Sequence, residues 1–291
     1  MPFTPLPDRA VLTLTGPETE DFLQGLVTAD VGAVTSEAVS PAALLTPQGK
    51  VMFEFLVSRL DGGLRLDVPA EMRAHLKKRL TLYRLRRKVE IAESDAAVFA
   101  VWGEDAQARG LVDRRFPDAD VFRAYGEAPS GVAEAEQQEF RALRIASGVA
   151  ELGADYPPSD VFPHDVLMDF NGGVSFKKGC FVGQEVVSRM QHRGTARRRL
   201  MLVTAATPLI ANSEIRAGEK VVGEILSVAD EQGLAMVRID RLASAAARDA
   251  ALTVEGVPVA LSIPAFAGYV IPEAGIPQDG GGDADKAGDA A

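Results

Sequence analysis

The sequence predicts an α+β body followed by a small β domain, on three observations. Up to about residue 195, strand-like and helix-like segments succeed one another without the regular βαβ alternation of a parallel sheet. Beyond about residue 196, short apolar segments separated by turns give the pattern of a closed or sandwich-like β domain. The chain has 291 residues, 47% of them hydrophobic and 25% charged, which is ample for a large core of ordinary globular composition.

Residues 9–14 read as a short strand. Gly16-Pro17 breaks the chain, and 18–26 suits a helix with Phe22, Leu23 and Leu26 on one face. Residues 50–60 have the β-branched and aromatic content of a buried strand, Asp61-Gly62-Gly63 signals a hairpin, and 64–68 alternates as the return strand. Met72, Leu76, Leu80 and Tyr83 give a helix over 70–83 its apolar face. Strands are expected at 88–92 and 98–103, and a helix at 134–147 with Gly148 as its C-terminal stop. Pro157-Pro158 and Pro163 mark a loop, and a helix follows over 183–193. The end, PQDGGGDADKAGDAA, is acidic and Gly-rich, with the composition of a disordered tail.

No apolar run approaches the roughly 20 residues of a membrane-spanning helix, so no membrane association is expected. The start shows neither a secretory signal nor an Arg/Ser-rich, acid-poor transit peptide. One cysteine fits a reducing compartment, read here as a bacterial cytoplasm. A net charge of −10 argues against a bulk surface for nucleic acid. Residues 73–88 nevertheless carry eight Lys or Arg and no acid, and Arg197, Arg198 and Arg199 form a second cluster. Both suit RNA phosphates or a polyglutamylated ligand, against the plainer reading of a solvated helix face followed by a strand.

Residues 177–185 read Lys-Lys-Gly-Cys-Phe-Val-Gly-Gln-Glu and contain the only cysteine. Without a disulfide partner, Cys180 is either a packing residue or a working thiol. Two lysines precede it, Gly179 permits a tight turn, and Gly183-Gln184-Glu185 open the helix; cations and a helix N-terminus both favour the thiolate. Lys178 and Arg189 are candidates to hold an anion or keep the thiol ionised, whereas Glu185 opposes it. Iron ligation, redox cycling and nucleophilic attack all remain open, the last without a partner base at recognisable spacing. A permanent cluster takes four ligands, and one cysteine with His75, His164 and His192 does not supply them, so no permanently bound metal is expected. His164-Asp165 and His192 match no zinc spacing.

KKGCFVGQE resembles the signature K-G-C-[FY]-x-G-Q-E of the YgfZ family, folate-binding-like proteins related to the T-protein, the aminomethyltransferase of glycine cleavage. Lys178, Gly179, Cys180, Gly183, Gln184 and Glu185 fill every fixed position. Residues 22–31, 44–57 and 142–153 are similar to other parts of that family. The resemblance implies a T-protein-like arrangement: two α/β subdomains within 1–195 and a β-barrel at 196–272 around a central cavity, with 273–291 as the tail. It implies a role in maturation or repair of [4Fe–4S] enzymes, with Cys180 as working thiol and transient iron ligand. Assembly proteins or client iron–sulfur enzymes would be the partners, and tetrahydrofolate or a related folate the cavity's ligand.

Two departures weigh against folate chemistry. His75 stands where T-proteins carry the acid that supports aminomethyl transfer, and Ala146 stands where relatives have a glutamate for the pterin ring. Losing such a buried acceptor typically costs about 1–3 kcal/mol of binding. A folate-dependent aminomethyltransferase or methyltransferase is therefore the first alternative, and an RNA-associated accessory protein of tRNA modification the second.

Overall fold

A computed structural model describes residues 1–104, 106–194 and 196–273. Ten strands form the sheet of the body: β1 (Pro2–Pro5), β2 (Arg9–Thr15), β3 (Ala38–Leu45), β4 (Val51–Leu60), β5 (Gly63–Pro69), β6 (Glu90–Ser94), β7 (Ala97–Trp102), β8 (Leu111–Asp113), β9 (Val121–Gly126) and β10 (Ala133–Glu134). Their order, β10-β1-β7-β9-β8-β3-β4-β5-β2-β6, makes two halves joined through the short parallel pair β3·β8, with Val39 opposite Asp113. Hairpin β4–β5 closes at Gly62, whose φ of +73° is the left-handed conformation the Asp-Gly-Gly sequence favours.

Helices α1 (Thr19–Gln24) and α2 (Arg73–Arg84) cover one half, α2 burying Leu76 and Leu80 against strand residues such as Leu12, Leu14 and Phe55. The helix expected from 70 starts at Arg73, because Pro69 and a tight 3-10 turn over Ala70–Met72 precede it. Helix α3 (Gln137–Ala146) likewise begins later than expected, since Ala133–Glu134 pairs in parallel with β1. Glu136 and Glu139 form its capping box. Gly148, with φ +72°, ends it, and a Cβ there would lie 2.6 Å from Pro264, so the turn and the close approach both require glycine.

Beyond the body, β11 (Arg198–Ala205), β12 (Glu214–Ala217), β13 (Lys220–Ala229), β14 (Gln232–Arg238), β15 (Leu252–Val254) and β16 (Val257–Ser262) close into a six-stranded barrel filled by residues such as Met201, Ile215, Ile225 and Val237. The strands follow the expected segments. Helix α5 (Ile239–Ala246), inserted after β14, was not foreseen. A further core cluster joins Phe181 and Val187 of the cysteine segment to Leu200 and Leu234 of the barrel, fixing that segment between the two parts. The α+β class with a C-terminal barrel stands as read. Apart from Glu273, the expected tail falls outside the described residues.

Candidate functional site

The signature leads from a loop into α4 (Gln184–Arg193). Gly183 caps this helix at φ +79°, and a Cβ on it would sit 2.6 Å from the Thr46 carbonyl oxygen and 3.1 Å from the Gly49 Cα. Gly49, at φ +80°, forms the β3–β4 turn, where its N–H donates to the Thr46 carbonyl at 2.9 Å. Two glycines distant in sequence are thus the two faces of one backbone contact. Gly49-Lys50 has a packing role there, and the Lys50 ammonium donates to the Asp160 carbonyl at 2.6 Å.

Lys178 does not serve the thiol in the way its sequence position suggested. Its ammonium donates to the carbonyls of Gln24, Val27 and Ala29 at 2.6, 2.7 and 2.8 Å, gripping the exit of α1. Burial pushes its pKa down to about 8, with Asp30 acting the other way. Thr28 completes the anchorage: its hydroxyl donates to the Gly173 carbonyl at 2.6 Å, and its own carbonyl accepts from Ser175 N–H at 2.9 Å. Arg189 is likewise engaged elsewhere, pairing with Glu185 at 2.6 Å on the exposed face of α4. Gln184 contributes its backbone N–H to the Phe181 carbonyl at 3.2 Å. Gly179 and Cys180 remain exposed, and the loop that presents them is held on one side by Lys178 and on the other by buried Phe181.

The histidines do not converge on the thiol. His75 is exposed on α2 and His192 on α4. His164 is buried, its Nε2 3.1 Å from the Gln191 side-chain oxygen and its ring 5.9 Å from that of Phe176. Burial lowers its pKa, so the neutral ring is favoured. Among the described residues, no three His, Cys, Asp or Glu side chains are grouped to hold a metal ion. Iron at Cys180 would therefore need ligands from elsewhere.

Two arginines of the expected RNA cluster are structural. Arg198 pairs with Asp165 at 2.9 Å, while buried Arg199 pairs with Asp169 at 2.9 Å and donates to the His164 carbonyl at 2.6 Å. Arg197 alone of the three is exposed. On α2, Arg73 and Lys77 both engage Glu93. Ala146 is exposed at the end of α3 and offers no carboxylate, and His75 lies on solvent, so these two positions do not fit a pterin-binding acceptor and a catalytic acid.

Sequence reasoning missed a buried ionic network that links the parts of the body. Asp113 accepts from Arg115 Nε and Nη2 at 3.0 and 2.8 Å and from Arg123 Nε at 3.1 Å. Glu151 accepts from Arg115 Nη1 at 2.7 Å, and Asp155 from Arg144 at 2.5 Å. Arg9 and Tyr125 meet on Asp67 at 2.7 and 3.1 Å. Burial alone would raise the Asp113 and Glu151 carboxyls, but the surrounding arginines outweigh it and hold both below the usual range. Glu54 goes the other way: burial raises it despite Arg115 and its bond from the Tyr156 hydroxyl. These residues lie on separate strands and loops, and no local spacing announces them.

The barrel, residues 197–269, matches the family described as CAF17, C-terminal beta-barrel domain. The chain is 29% identical over 232 residues to the mitochondrial iron-sulfur cluster assembly factor IBA57 homolog of Mycosarcoma maydis, covering 70% of this chain and 58% of that protein's length. It is 29% identical to the human mitochondrial iron-sulfur cluster assembly factor IBA57, covering 81% of this chain and 77% of that one. The aminomethyltransferase T of the glycine cleavage system from Bartonella henselae superposes with a TM-score of 0.70 at 13% identity, over 91% of this chain and 85% of that chain. That likeness establishes the T-protein-like fold. The expected cytoplasmic location is corrected by these comparisons, because the IBA57 relatives are named as mitochondrial proteins. Signature, barrel and fold agree: the chain is a homologue of the IBA57 iron–sulfur cluster assembly factors, in keeping with the resemblance its signature carries.

Proposed function

We propose that this protein is an assembly factor for iron–sulfur clusters acting in mitochondria, with Cys180 as the thiol that contacts iron in transit. The observation that carries the reading is the exposed cysteine on an anchored loop, in a chain similar to IBA57 along most of its length. Exposure makes the sulfur accessible to a second protein, and anchorage by Lys178 and Phe181 presents it in a defined place. A thiolate is a soft ligand suited to iron. A cluster needs about four such ligands, so the partner would be a cluster-bearing assembly protein or a client apoenzyme that supplies the rest. The cluster is cargo, and Cys180 holds it only while ligands exchange.

Neither Ala146 nor His75 supplies the acceptor or acid that folate chemistry calls for, and the proposed iron step requires no folate. Complementation tests the proposal. The chain, directed to mitochondria, is expressed in cells lacking their own IBA57, and the activity of a [4Fe–4S] enzyme is measured. Wild type is expected to restore activity, while Cys180→Ala and Cys180→Ser accumulate as folded protein without restoring it. Full rescue by Cys180→Ala would remove the thiol from the mechanism, and failure of the wild type would remove the assembly role.

A further inference from the structure

We propose that the cavity between the sheet body and the barrel binds a small organic anion through its carboxylate or phosphate group, with Arg123 as the principal contact. The cavity measures about 530 Å³, within the range of small-molecule sites. Its walls come from the start of β2, from β9, from the polar face of α3 and from Ser227–Ala229 of the barrel. Arg123 is fully buried, and its Nε donates to Asp113. Its Nη1 and Nη2 have no hydrogen-bond partner among the described residues. The Glu151 carboxylate lies 3.6 Å from Nη2, beyond hydrogen-bond reach. Arg123, Glu151 and Phe140 all line the cavity, and the guanidinium carbon is 5.5 Å from the Phe140 ring centre.

The neighbouring arginines differ. Arg9 is spent on Asp67, and Arg144 on Asp155 and the Val149 carbonyl. Arg123 alone among these keeps two buried donors in search of an acceptor, and buried donors are rarely left so. Side by side, those donors form the fork that matches a carboxylate or phosphate. The lining holds four arginines, at 9, 123, 141 and 144, against the two acids Asp8 and Glu151. Leu6, Phe140 and Val228 give the ligand's carbon body an apolar wall. The site is separate from the position relevant to folate, because Ala146 follows Arg144 by two residues and so faces about 200° away around the helix. The inference is independent of the iron–sulfur reading.

Titration calorimetry on the full chain tests it, with glutarate and inorganic phosphate as probes and glutaramide as the neutral isostere. Either anion, or both, should bind once per chain while glutaramide does not, and the two arms tell a carboxylate ligand from a phosphate one. Arg123→Lys should weaken binding at least about tenfold by losing the fork. Where that variant does not fold, the rim variant Arg141→Ala and the cavity-filling Ala154→Leu decide, each expected to stay folded and to bind several-fold more weakly. No binding of either anion up to about 10 mM, or equal binding of glutaramide, would overturn the proposal in favour of trapped water on Arg123. Unchanged anion affinity in all folded variants would overturn it as well.

Discussion

Lys178 and Cys180 stand two residues apart in one signature, and the structure gives them opposite kinds of work. The lysine is turned inward, its three donors satisfying three backbone carbonyls at the end of α1. The cysteine is turned outward, which leaves it no packing role. Lys178→Ala would strand those carbonyls, and hydrogen bonds from a charged donor are worth more than neutral ones. A loss of about 2–3 kcal/mol is expected in urea unfolding, together with faster amide exchange over residues 171–180. Cys180→Ala and Cys180→Ser should each change stability by less than about 0.5 kcal/mol, as exposed substitutions do. Lysine loss would thus impair function through folding, and cysteine loss without touching it. Equal melting temperatures for Lys178→Ala and wild type would refute the clamp. The sequence displayed both residues, but it gave no means of seeing which way each side chain turns.

At the scale of elements, the glycines of the signature show where local reading stops. The spacing of 183–193 is enough to place a helix, and the structure finds it over Gln184–Arg193. Why the residue before it must be glycine depends on Thr46 and Gly49 in a different hairpin, a contact no local pattern encodes. Local patterns served well where a segment's own periodicity decides its state, as in β4, β5 and the barrel strands. They failed for β3, whose run AVSPAALL is buried on every residue and so carries no alternation. They failed again for α5, whose Ala-rich turns lie among strands. Gly183→Ala puts a methyl 2.6 Å from the Thr46 oxygen at a left-handed φ. Both strain and displacement should follow, costing about 1–3 kcal/mol. Gly49→Ala should cost a comparable amount, and the double variant less than the sum, since either change already separates the same two backbones. Strict additivity in denaturant titrations would show that the contact is not shared.

For the whole molecule, the ionic network ties together pieces that sequence reading treated as separate. Asp113 ends the strand that joins the two halves of the sheet, Glu151 follows α3, and the arginines between them come from β9, α3 and the β8–β9 connection. Fold class was readable from local patterning and family resemblance. The network was not, because each partner is an unremarkable surface-type residue until the chain is folded. Its pH dependence has a definite sign. Asp113 and Glu151 have folded pKa values below their unfolded ones, so the native state binds fewer protons and gains their stability fully above about pH 4. That stability drains away as the pH falls through the depressed values. Glu54, raised by burial, contributes oppositely. Protonation of the Asp113 and Glu151 carboxylates should therefore make the urea midpoint drop steeply below about pH 4. Asp113→Asn would leave Arg115 and Arg123 facing a neutral amide, at a cost of about 3–5 kcal/mol at pH 7. The same substitution should shallow the acid limb, because one of the two groups that drive it is gone. A variant as acid-sensitive as wild type would place the source of acid unfolding outside this network.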